Sequence, residues 1–111
     1  MRFIIILTFL FLVNSFFSQS NKTFFGQAQF NITDKVVTSS IETEIRKNNS
    51  IQLIRIDASN GQVFILTNEQ ESWTKQDFLS LFGHFAEKLS CLSIGIHGKD
   101  KTKEYPFSDC K

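Results

Sequence analysis

Residues 51–67 read IQLIRIDASNGQVFILT, and the way this stretch turns decides the fold. Ile51 to Ser59 and Gln62 to Thr67 are strand-like runs rich in Ile, Val, Leu and Phe, and Asn60-Gly61 stands between them. Asn-Gly between two such runs marks a two-residue type I′ hairpin, because both central residues must take positive φ, which Gly adopts freely and Asn tolerates. That turn pairs Ser59 with Gln62, Ala58 with Val63, Asp57 with Phe64, Ile56 with Ile65 and Arg55 with Leu66. Residues paired across strands share a face. One face of the hairpin then carries Ile54, Ile56, Ala58, Val63 and Ile65, purely apolar and suited to pack under helices. The other carries Leu53, Arg55, Asp57, Phe64 and Leu66, a mixture of aliphatic, aromatic and charged groups.

Two amphipathic segments flank the hairpin. Upstream, Asp34 is placed to cap a helix in which Val37, Ile41 and Ile45 recur every four residues, ended by Asn48-Asn49-Ser50. Downstream, Thr74 with Asp77 forms the pattern of a capping box, and Trp73 with Phe78 that of a hydrophobic staple. Phe78, Leu81, Phe82, Phe85 and Leu89 continue at helical spacing, which predicts a helix from Lys75 to about Leu89. His84 falls on the polar side of that helix. Two more strands complete the reading. Phe24 to Asn31 alternates loosely, and Cys91 to His97 alternates with Leu92, Ile94 and Ile96 on one side and Cys91, Ser93, Gly95 and His97 on the other. The order strand, helix, strand, strand, helix, strand predicts an α+β domain on the ferredoxin-like βαββαβ plan, with helices on one face of an antiparallel sheet.

The first 20 residues have a different character. Met1-Arg2 and the unbroken apolar run Phe3 to Val13 read as a signal peptide, too short to span a bilayer, with Ser18 and Ser20 as the small residues before cleavage. Residues 21–111 are then one small domain, secreted or periplasmic. Its two cysteines, Cys91 and Cys110, are expected to form a disulfide that stabilises the fold by roughly 3 kcal/mol and draws the C-terminal tail, with Tyr105 and Phe107, toward the mixed face of the sheet, which it covers in part. The whole chain has 12 basic and 11 acidic residues. Loss of Arg2 with the leader brings the domain to zero net charge, with no basic stripe for phosphate contacts, so nucleic acid is not its expected partner.

Catalytic and metal signatures are missing from the sequence. There is no GxSxG, HExxH, GxGxxG or P-loop, and the cysteines and His84 and His97 match no zinc spacing. Asp57 to Gly61 opens like a calcium loop, but its glycine falls one position early and Asn68 stands where a Glu is required. Glu69 and Glu71 lead into a helix N-terminus, where they favour its dipole. Lys99, Lys101 and Lys103 alternate with acidic neighbours that cancel much of their field. Asn21, Asn31 and Asn48 head glycosylation sequons. No cofactor or metal is expected. The leading expectation is a non-catalytic binding module that uses the mixed hairpin face, with Arg55, Asp57, Phe64 and His97 as its contact residues. The alternatives are a hydrolase-like enzyme centred on His97, with Asp57 as its partner, and a structural envelope protein without a saturable ligand.

Overall fold

The computed structural model describes residues 21–107; the expected leader and Cys110 of the expected bridge lie outside them. Strand β1 (Phe24–Phe30) is followed by helix α1 (Lys35–Arg46), strands β2 (Ile51–Asp57) and β3 (Gln62–Thr67), helix α2 (Lys75–Leu81), a 3-10 helix (Gly83–Lys88) and strand β4 (Leu89–Ile96). The strands form one sheet in the order β2-β3-β1-β4, and every adjacent pair is antiparallel. An antiparallel four-stranded sheet with helices is the α+β class that the sequence predicts.

The hairpin is present, but its loop differs from the expected one. Asp57 pairs with Gln62, Arg55 with Phe64 and Ile54 with Ile65, so residues 58–61 form a four-residue loop. Only Gly61 in the loop takes positive φ, at 74°, which rules out type I′. Local bonds explain the longer loop. Asp57 Oδ1 accepts from the Ser59 N–H and hydroxyl, Gly61 N–H donates to the Asp57 carbonyl, and Asn60 Oδ1 accepts from Gln62 N–H. The register moves by an even step, and side chains alternate with period two, so each keeps its expected face. Ile54, Ile56, Val63 and Ile65 are all buried, while Ala58 leaves the strand for the loop. At the other end of β2, a bulge between Ile51 and Leu53 turns Ile51 into the core and leaves Leu53 40% exposed.

The expected first strand is central, pairing with β3 on one side and β4 on the other. Phe24, Ala28 and Phe30 face the helices and are buried with Ile41 and Ile45 of α1 and with Trp73, Phe78 and Phe82. A Cβ at Gly26 would lie 2.3 Å from the ring of Phe78, so only glycine lets α2 settle this close to the sheet.

Helix α1 starts at Asp34, whose Oδ1 accepts from Val36 N–H at 2.9 Å and Val37 N–H at 3.4 Å, and it buries Thr38, Ile41 and Ile45. Helix α2 starts with the expected capping box and staple: Thr74 and Asp77 bond reciprocally, and the Trp73 and Phe78 rings lie 5.6 Å apart. A cap of this kind contributes about 1 kcal/mol. The expected length is corrected. The α-helix ends at Leu81, because Gly83 takes φ 56° and the chain tightens into a 3-10 helix, releasing Leu89 to begin β4. Phe82 still reaches the core, stacked on Phe78 and edge-on to Phe30.

Candidate functional site

The sheet face away from the helices is built in rows by the strand registers. Arg55, Phe64, Gln27 and Ser93 form the middle row, Leu53, Leu66, Phe25 and Gly95 the row on one side, and Asp57, Gln62, Gln29 and Ser90 the row on the other. The tail after β4 crosses this face. Gln27, 3% exposed, holds it there: its Nε2 donates to the Lys103 carbonyl at 2.8 Å, and its Oε1 accepts from the Lys103 N–H at 2.7 Å. Tyr105 Oη donates to the Asn60 carbonyl at 3.3 Å, and Gln29 Nε2 donates to the same oxygen at 2.7 Å. The tail is thus fixed to both the central strand and the hairpin loop.

Between the hairpin and this strap lies an open groove of about 660 Å³. Its sheet wall is Leu53, Arg55, Gln62 and Phe64, its floor is Gln27, and its other wall is residues 102–105 with the Tyr105 ring. Arg55 is exposed and stands directly across from Phe64, nearer than the expected register would bring it. Phe64 is half-buried and stacks on Phe25, with ring centroids 6.3 Å apart and planes at 13°. This leaves an aromatic surface beside a guanidinium fork, which binds carboxylate or phosphate bidentately or lies flat on a planar group. Asp57 sits at the loop end of β2. Its carboxyl is held below the usual aspartate range by the hydroxyl and N–H of Ser59, so it stays ionised.

No known family, curated protein or solved structure matches the chain.

Arg55, Asp57 and Phe64 lie together on this face, and with Gln62 they line a smaller hollow beside the groove. His97 does not join them. It follows β4, is exposed, and its N–H donates to the Thr23 carbonyl at 2.8 Å. From Asp57 the register crosses three strand spacings and about six residues along β4, putting the two on the order of 25 Å apart at opposite corners of the sheet. The Asp57–His97 pair considered for hydrolysis thus has no contact, and His97 is not part of the groove. His84 is exposed and lies against Phe85 on the helix side. Among the described residues no group of three His, Cys, Asp or Glu side chains is placed to hold a metal ion, and no helix is long and apolar enough to cross a membrane.

The sequence draws the tail with Tyr105 toward this face but does not show Gln27 and Lys103 as parts of the site. One signal for Gln27 was available: a Gln within FFGQAQF, on a strand of otherwise apolar or small residues, marks a polar group with a buried task.

Proposed function

We propose that this chain is a small exported binding module without catalysis, and that it engages another macromolecule or a ligand through the groove between the hairpin and the tail. The observation that carries this reading is the Arg55–Phe64 pair facing Tyr105 across an open groove. Arg and aromatic side chains dominate binding energy where they stand in a common hollow. Arg55 and Lys103 are offset in this region by Asp57 and Glu104, which favours a partner of mixed polarity over nucleic acid.

The element order and the strand order support a ferredoxin-like plan. That plan hosts many unrelated activities, so the function rests on the groove. The same proposal includes cleavage of residues 1–20, a periplasmic or extracellular destination and a Cys91–Cys110 bridge. Phe107, buried shortly before Cys110, supports a tail that is anchored at its end.

The test starts from a pull-down from the native exported fraction, after which the recovered partner is titrated against variants. Arg55→Ala and Phe64→Ala each weaken binding about tenfold or more, while His84→Ala leaves it unchanged. Equal binding by all three, with circular dichroism intact, moves the site off this face. A protein with only a structural role in the envelope gives no saturable binding at all.

A further inference from the structure

On the groove face, β2 and β3 set two residue pairs side by side. Arg55 stands across from Phe64, and two residues along the strands Asp57 stands across from Gln62, so all four side chains share the face. The two pairs are about 7 Å apart along the strands. These four residues line a hollow of about 210 Å³, which shares Arg55, Gln62 and Phe64 with the larger groove.

The polar groups around this hollow have bonding capacity to spare. The side chains of Arg55 and Gln62 have no hydrogen-bond or ion-pair partner among the described residues, although Asp57 is the next residue on Arg55's side of the strand. Asp57 is occupied elsewhere. The Ser59 N–H and hydroxyl both donate to its Oδ1, at 3.0 and 2.6 Å, which keeps the carboxyl ionised and leaves Oδ2 unused. A cation and an anion thus stand side by side without pairing. Charge over the groove and hollow sums to zero, Arg55 and Lys103 against Asp57 and Glu104. The remaining walls are apolar. Phe64 is backed by Phe25, and of the three large apolar side chains exposed among the described residues, Leu53 and Tyr105 both line this groove.

We propose that this site binds a free aromatic α-amino acid, with its carboxylate on the Arg55 guanidinium, its ammonium on Asp57 Oδ2 and its ring on Phe64 facing Tyr105. This deepens the groove reading and rests on it. Charge selects the ligand class. A simple anion on Arg55 is repelled by the neighbouring Asp57, and a simple cation on Asp57 is repelled by Arg55. A zwitterion satisfies both, and an α-amino acid holds its two charges on one carbon, as adjacent positions 55 and 57 require. A peptide end carries only one of the two. The guanidinium takes a carboxylate bidentately, and the Gln62 side-chain carbonyl is a second acceptor for the ammonium. The groove's volume, about 660 Å³, lies in the range of small-ligand clefts, roughly 300–1,000 Å³, and leaves room for the ring.

The test is an NMR titration of the native protein with L-phenylalanine, read at the amides of Gln62, Phe64 and Tyr105 and at Arg55 Nε–H. All four signals shift together and saturate. N-acetyl-L-phenylalanine, which lacks the ammonium, L-phenylalanine amide, which lacks the carboxylate, and L-alanine, which lacks the ring, each bind about tenfold or more weakly. Asp57→Asn keeps the oxygen to which Ser59 donates, and it brings L-phenylalanine down to the level of the N-acetyl compound. No saturable shift at millimolar L-phenylalanine overturns the inference, as does equal binding of L-phenylalanine and either blocked form. These comparisons use the native protein and stand even where the variant folds poorly. The groove reading falls only if the recovered partner is indifferent to Arg55→Ala and Phe64→Ala, so the two readings fail separately.

Discussion

Gln27→Glu changes one NH₂ group to an oxygen and tests how the tail is held. In the native protein the amide both donates to and accepts from the backbone of Lys103, at 2.8 and 2.7 Å, on a side chain that is almost wholly buried. An ionised carboxylate keeps the bond from the Lys103 N–H, but it points a second lone pair at the Lys103 carbonyl. One bond is lost, two acceptors are opposed and a charge is buried, at a combined cost of about 2–4 kcal/mol. A protonated carboxyl restores the amide's pattern, because its O–H donates where the NH₂ did. The folded variant therefore holds the proton of the introduced carboxyl more tightly than the unfolded chain does, and the group's folded pKa is raised. A raised folded pKa means stability that is full below the unfolded value and is lost as pH rises through the folded one. Urea denaturation of the variant matches the native protein at pH near 4 and falls about 2–4 kcal/mol below it at pH near 7. Amide exchange at Lys103 speeds up over the same range. Equal deficits at both pH values, or an unchanged Lys103 amide, would refute the claim that this side chain latches the tail.

Two further outcomes follow from the core and the loop. Phe82→Ala costs roughly 3–5 kcal/mol in chemical denaturation, because the ring bridges Phe78 and Phe30; a loss below about 1 kcal/mol would mean that the 3-10 region carries it away from the core. The Asp57 carboxyl has a lowered pKa from its bonds to Ser59, so its support of the loop is complete above the ordinary value of 3.8 and is lost as pH falls through its lower folded value. Protection of the Ser59 amide therefore disappears in acid in the native protein and is absent at every pH in Asp57→Ala.

What the sequence reveals about the hairpin is its faces, more securely than its register. Face membership depends on parity alone, so Ile54, Ile56, Val63 and Ile65 go inward under either loop. The loop itself is decided by groups far along the chain. Phe30 N–H takes the Gly61 carbonyl, and Gln29 and Tyr105 take that of Asn60, none of which is visible in the local pattern Asp57 to Gln62. β1 is hard to read for the opposite reason. A central strand covered on both sides shows no clean alternation, and Gln27 and Gln29 pass for solvent-facing residues until the tail is laid over them. Helix α2 stops early because one glycine, Gly83, takes positive φ within an otherwise continuous apolar stripe. The site shows the same division. Parity assigns Arg55, Phe64 and His97 to one face, but it does not say which corner of that face each occupies. The expected bridge draws Tyr105 toward this face, but the tail, lacking any period, gives no sign that Lys103 is the residue Gln27 holds.

The position of β1 bears on how the molecule comes into being. Among the described strands it comes first in the chain, yet it lies in the middle of the sheet, and both its neighbours, β3 and β4, are made after it; Gln27 and its latch at Lys103 are 76 residues apart. Until β3 and β4 arrive, a ribbon bearing Phe24, Phe25 and Phe30 has both edges open, which is the state most prone to mispairing with other chains. The sheet closes around β1 only once β4 has been made, so loss of β4 and the strap leaves that ribbon unsheltered, and a holding factor on the newborn chain has its natural target in residues 24–30.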